Sequence, residues 1–202
     1  MKLKNIFIVQ CALFFLALSF IFSTGKIHAA SIDIQKIRLK GAQYIKDLKY
    51  FQETGLVPAR QTAIEMQIEN FEQSLIGYRT AKPNERNGAL RIVQGSYEKF
   101  NVEFRALADI YREWVDKYQK QYYEKSSEPF ADTTTKEKTI ATVAVARQDE
   151  ARASSAYNNR NYAYAAHLYL RSLKHYHQAY QFRKWPQLVQ LIVHTKEKPK
   201  NK

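Results

Sequence analysis

The sequence predicts an all-α protein, an elongated helical bundle around one long central helix with a helical hairpin at its C-terminal end. Three observations carry that prediction. Apolar residues recur at spacings of three and four from about residue 32 to 184. Six Gly and five Pro in 202 residues are too few for an all-β sandwich or barrel, which needs turns roughly every 8–12 residues. Finally, Leu90, Val93, Tyr97, Phe100, Phe104, Leu107, Tyr111, Trp114, Tyr118 and Gln121 alternate three and four apart without a slip, which keeps one seam facing its partners along a single helix.

The elements come in order along the chain. Ile34, Ile37, Ile45, Leu48 and Phe51 mark a first helix over 32–53, with Gly55 as its stop and Pro58 suited to the first turn of the next. The second runs to about Thr80 on Ile64, Ile68, Phe71, Leu75 and Tyr78, and Lys82-Pro83-Asn84 breaks it, with Asn84 free to cap the third helix. The third, over 85–124, would be about 60 Å long at 1.5 Å per residue. Gly88 and Gly95 lie beside its seam, where close helix approach is the expected use and a hinge the alternative. Lys125 to Lys138 reads as a linker, and Thr134 with Glu137 has the form of a capping box opening a fourth helix over 136–158. That helix is rich in Ala and Ser, and the Tyr-rich fifth, over 162–184, can approach it closely as a hairpin. A short helix over 187–194 and a solvated tail over 195–202 close the chain.

The domain organisation predicted is therefore a signal segment at 1–30, an N-terminal helical segment at 31–124, a linker at 125–138, a C-terminal hairpin at 139–194 and a basic tail at 195–202. Lys2 and Lys4, an apolar run over 6–22 and a small-residue exit ending in Ala29-Ala30 describe a cleavable secretory signal. An uncleaved inner-membrane anchor through 6–22 is the alternative, since that run approaches the roughly 20 residues that span a bilayer. Cys11 sits within the run as a small hydrophobe, so the mature chain would hold no cysteine, as suits a bacterial periplasm. Cleavage removes Lys2, Lys4 and Lys26 and no acid, lowering the formal charge from +13 to +10. Most of what remains lies between Arg171 and Lys202, where eight basic residues face Glu197 alone.

The hairpin resembles a tetratricopeptide unit over about 140–184. Ala153 and Ala156-Tyr157 fit that family's first helix, Asn158 to Asn161 its turn, and Tyr162, Ala165, Tyr169 and Ser172 its second helix. Arg160 stands where the family prefers Gly, and no Pro comes after it at the usual distance. The resemblance implies binding of peptides or partner proteins and does not imply catalysis. More loosely, a small, exported, basic, Tyr-rich helical protein is similar to those attached to the periplasmic flagella and motor collars of spirochaetes.

Chemistry is thinly represented. His167, His175, His177 and His194 have no short metal-ligand spacing, and no phosphate loop, dinucleotide fingerprint or nucleophile elbow is present. The sequence therefore nominates no catalytic, cofactor-binding or metal-ligating residue, and it predicts a protein that is not an enzyme. Helices one and two can cover only half of the long helix, so Trp114, Tyr118 and Tyr122 become candidates for a partner-binding aromatic patch, with Tyr164 on the hairpin. If helices four and five reach them, they are core instead. A protein partner within a larger envelope or flagellar assembly, or a homo-oligomer along the seam, would use such a patch. Lys196, Lys198, Lys200 and Lys202 are candidates for contact with an anionic membrane or cell-wall polymer. Export argues against nucleic acid.

Overall fold

The computed structural model describes residues 34–189, which are helix and connecting loop, with no strand among the described residues. The signal segment and Cys11, most of the expected 187–194 helix with His194, and the tail lysines Lys196, Lys198, Lys200 and Lys202 lie outside the described residues. Helix α1 covers 34–53. Its first turns, 34–42, carry buried Ile34 and Gly41 among exposed Lys36, Arg38, Leu39 and Lys40. From residue 43 onward the chain forms one packed unit.

Within that unit α1 ends as its sequence requires. The Thr54 hydroxyl donates to the Phe51 carbonyl at 2.7 Å, and Gly55 takes a left-handed φ of 69° that a side chain would resist. Pro58 opens a short 3₁₀ turn, Pro58–Arg60, and α2 begins only afterwards, over Gln61–Thr80. Helix α3 covers Arg86–Glu124. Asn84 does not cap it: Glu85 holds the cap position without a side-chain cap bond, and its carboxylate accepts instead from the Lys82 N–H at 3.4 Å.

The aromatic seam of α3 becomes the core. Val93, Phe100, Phe104, Leu107, Tyr111 and Tyr118 are fully buried, while Leu90, Tyr97, Trp114 and Gln121 are half-buried. From α1, Tyr44 stacks on Tyr97 at 5.5 Å, and Phe51 meets Phe104 and Tyr111 at 6.3 and 5.6 Å. From α2, Phe71 meets Phe100 edge-on at 5.1 Å, and the Gln67 amide donates to the Ser96 carbonyl at 2.6 Å. Edge-to-face and offset rings fill space that Leu and Val would fill in a coiled coil, each pair adding about 0.5–1.5 kcal/mol beyond its burial. The close approach expected at Gly88 and Gly95 does not occur. A Cβ added at either would meet nothing within 4 Å, so neither serves close packing inside the chain.

Helix α4 covers Thr133–Asn158 and α5 covers Tyr162–Arg183. The capping box expected at Thr134 gives way to Asp132, whose carboxylate accepts the Thr135 N–H at 2.7 Å and the Thr135 hydroxyl at 2.8 Å. A carboxylate at a helix N-terminus also faces the positive end of the backbone dipoles, and the backbone bond from Thr135 chiefly lowers its pKa. The two helices lie against each other along Ala146, Ala153, Ala156, Ala165, Tyr169 and Ser172, all buried. The Ser172 hydroxyl donates to the Ala146 carbonyl at 2.8 Å, and the Ser154 and Tyr169 hydroxyls share a bond at 3.0 Å.

Both helices end in the same way. After α4, the Asn161 N–H reaches the Ala156 carbonyl and the Arg160 N–H reaches Tyr157, each at 2.9 Å, the paired bonds of a Schellman ending. That ending needs a left-handed residue, and Arg160 supplies it at φ 59°. After α5, Lys184 does so at φ 54°, with the Trp185 N–H on the Tyr180 carbonyl at 3.0 Å. A non-glycine residue loses about 1–2 kcal/mol in this conformation, and part of any gain from glycine is cancelled by the more flexible unfolded chain. Because Arg160 is exposed, Arg160→Gly is expected to stabilise by about 0.5–1 kcal/mol and to raise the melting temperature by about 1–4 °C. Thermal melts of the two chains check it, and an unchanged or lower midpoint would show that the Arg160 side chain contributes where it lies.

Helix α5 ties the unit together. Its Lys174 ammonium donates to the Tyr50 hydroxyl on α1 at 2.8 Å, and His167 sits 3.4 Å from Asp47 and 4.6 Å, centroid to centroid, from Phe51. At its far end, Arg183 donates to the carbonyls of Glu128 and Pro129 at 2.8 and 3.2 Å. The Trp185 indole N–H donates to the Glu128 carboxylate at 2.7 Å. The linker between α3 and α4 is thereby held against the end of α5.

Candidate binding surface

The four aromatic candidates do not form one patch. Tyr118 is core: it is fully buried, because α5 and the segment after it reach the half of α3 that α1 and α2 leave open. Its ring meets Tyr180 edge-on at 4.7 Å. Its hydroxyl lies 3.2 Å from His177 Nδ1 and accepts the Leu188 N–H at 3.1 Å, and the Tyr180 hydroxyl donates to the Tyr118 carbonyl at 2.9 Å. Burial raises the Tyr118 pKa and lowers that of His177, so both stay neutral near pH 7 and can share a bond. Tyr118 is thus withdrawn from the candidate surface.

Tyr122 is half-buried, with its ring 5.9 Å from Trp185. Arg183 lies over both Trp185 and Phe130, at 4.5 and 3.9 Å from the ring centroids. This cluster works as a clasp for the linker, which accounts for Tyr122 without a partner. Tyr164 is 52% exposed on α5, and among the described residues no hydrogen bond or ring contact joins it to Trp114 or Tyr122.

Trp114 differs from all three. It lies one helical turn beyond Tyr111, which packs against Phe51 and bonds near Thr54 at the end of α1. Trp114 is half-buried and has no ring partner among the described residues. The Lys117 ammonium lies over its face at 4.5 Å and is itself held by Glu113 at 2.7 Å. A rigid indole, half in water under a cation, is the kind of side chain that anchors protein interfaces.

Two features are not evident in the sequence. One is a polar ladder joining α3 to α4 at the surface. Arg105 reaches the Tyr157 hydroxyl at 3.3 Å, and Arg112 lies over the Tyr157 ring at 5.0 Å. Further along, Gln119 donates to Glu150 at 3.3 Å and Arg147 covers the Tyr123 ring at 4.9 Å. The other is Asp149, buried on α4 and gripped by both the Nε and Nη2 of Arg171. A signal for it exists: Thr139, Val143, Ala146, Asp149, Ala153 and Ala156 form the buried stripe of α4, and Asp149 is the one charge on it.

The histidines act as bridges between helices. His167 meets Asp47, His177 meets Tyr118, and His175 lies 3.8 Å from Asp149. Among the described residues no three His, Cys, Asp or Glu side chains gather to hold a metal ion, and no helix is long and apolar enough to cross a membrane. No protein-family model, curated protein or solved structure matches this chain.

Proposed function

We propose that this chain is an exported, non-enzymatic helical protein that holds a protein partner, serving as a periplasmic scaffold, adaptor or assembly subunit. The observation that carries the reading is Trp114: a half-exposed indole on α3, one turn past the Tyr111 that meets the end of α1, with a cation over its face. Interface hot spots are enriched in Trp, and losing one costs about 2 kcal/mol or more of binding. Export is supported by the charged start, apolar run and small-residue exit of residues 1–30.

In its finer form, the α4–α5 hairpin is a tetratricopeptide-like unit. Of the residues that carry that resemblance, Ala153, Ala156, Ala165, Tyr169 and Ser172 are buried, and the left-handed φ at Arg160 is a physical reason for the Gly the family prefers there. The narrowest form is a subunit of a flagellar sheath or motor, which rests on the looser resemblance alone. A second reading, an envelope-surface binder, is favoured by the concentration of basic residues from Arg171 to Lys202.

An affinity pulldown from the native envelope, at low and high salt, separates these. The unaltered chain is expected to retain one partner at high salt and Trp114→Ala to retain at least about tenfold less. Equal retention by Trp114→Ala would sink the Trp114 reading. Recovery of only lipid or wall material, lost as salt rises or when 195–202 is removed, would transfer the function to the basic tail.

A further inference from the structure

A groove of about 940 Å³ opens between α2 and α3 near the turn that joins them. Gly77 and Ser74 line it from α2, and Gly88, Ile92, Ser96 and Lys99 from α3. Ile92 is 64% exposed at its centre. The glycines are unexplained by the chain itself. Each costs about 1 kcal/mol in a helix relative to Ala, yet a Cβ at Gly77 or Gly88 would touch nothing within 4 Å.

The arrangement along α3 is symmetric about Ile92. Gly88 and Ser96 stand four residues to either side, and Glu85 and Lys99 stand seven to either side. Seven residues are close to two turns, so Ile92 and Lys99 share one seam of the helix, and Glu85, at the cap position of α3, stands at the N-terminal end of that seam. Glu85 and Lys99, about 21 Å apart along the axis at 1.5 Å per residue, form no ion pair among the described residues. Such a face is its own complement. Turned about a two-fold axis through Ile92, it puts each Glu85 opposite the other copy's Lys99, and the small residues let the two backbones approach.

We infer that a second copy of this chain occupies the groove, with α3 antiparallel to α3 across a two-fold axis at Ile92. A residue on such an axis faces itself, which a single cysteine can report, because a disulfide requires Cα atoms within about 7 Å. The test uses the full chain carrying Cys11→Ser, with Ile92→Cys, and Val102→Cys as the control. Val102 is 62% exposed on the same helix, on a different side. Mild oxidation and then non-reducing electrophoresis are expected to convert most of the Ile92→Cys chain to a band at twice the monomer mass, at least tenfold above Val102→Cys. Equal crosslinking of the two would overturn the inference, as would no crosslinking at all.

Charge supplies a second, independent arm. In the Ile92→Cys background, Glu85→Lys and Lys99→Glu are each expected to cut the dimer band at least threefold, and the two together to restore it. Both charges are exposed, but Glu85 also accepts from the Lys82 N–H at the α3 cap, so the dimer bands are compared after circular dichroism has shown equal helix content in the three variants. Failure of the double reversal to restore the band would refute the two-fold arrangement even if some crosslinking persisted. Gly88→Leu fills the groove and is expected to abolish the band; a band that survives it would place the contact elsewhere.

Discussion

Tyr118→Ala is expected to destabilise the fold by about 4 kcal/mol, within the 3–5 kcal/mol that truncating a buried aromatic costs. The side chain is fully buried, and its removal opens a cavity between α3, α5 and the segment just after α5. Tyr118→Phe separates shape from polarity. It keeps the ring against Tyr180 but leaves the Leu188 N–H and His177 Nδ1 without the hydroxyl, a loss of about 1–2 kcal/mol. Denaturant titrations of the three chains check the order. If Tyr118→Ala lost partner binding with no loss of stability, the residue would return to the interface.

The same site has a defined pH response. Burial holds His177 below the ordinary histidine pKa, and burial is also the main cause of the lowered pKa of His175. As pH falls through about 6.5 the unfolded chain takes up these protons before the folded one does. Stability is therefore expected to fall from about pH 6.5 downward, until the folded histidines protonate in turn. His177→Phe should flatten part of that decline, leaving the share of His175. A melting temperature equal at pH 5 and pH 7.5 after correction for carboxylate effects would contradict it.

Arg171→Ala is the second large effect, and its size comes from an asymmetry. The Asp149 side chain is 2% exposed and the Arg171 side chain 53%. Removing the arginine leaves a carboxylate in the interior without its two donors. Breaking a buried pair this way costs about 3–5 kcal/mol, and water entering the vacated, half-open side brings the expectation to the lower end. A loss of about 3 kcal/mol would lower the melting temperature by about 6–12 °C in a chain of this size. Asp149→Ala leaves an arginine that water can solvate, and should cost less. The reverse order would show that the arginine stem, packed along the helix, matters more than the pair.

Features that depend on spacing within one helix are legible in the sequence. The seam of α3, the apolar faces of α1 and α2, the stop at Gly55 and the small-against-aromatic hairpin are all local periodicities, and they stand in the structure with ends shifted by a few residues. Features that depend on which helix covers which are not legible. Tyr118 and Trp114 belong to the same 3-4 series, yet Tyr118 is core, under Tyr180 and His177 of α5, and Trp114 is half-exposed. The cap at Asp132 outcompetes Thr134 because a carboxylate satisfies both the N–H and the hydroxyl of Thr135. The ends of α4 and α5 fall within a residue of where the sequence puts them, but the left-handed conformation at Arg160 and Lys184 has no glycine to announce it. Gly88 and Gly95 mislead for the opposite reason: small residues suggest contact, and within this chain there is none.

The bonds between α1 and α5 have a consequence for the order of events during synthesis. Tyr50 and Lys174 are 124 residues apart. At about 5–20 residues per second, the end of α1 waits roughly 6–25 s after its own synthesis before that partner exists. The α2–α3 and α4–α5 hairpins close short loops and can form as they emerge, but their assembly into one unit awaits the last helix. During that interval Tyr118 lacks the cover of Tyr180, and Phe51 lacks that of His167. The nascent chain is then at its most adhesive, and a holding factor or rapid passage out of the compartment of synthesis would be of most use to it.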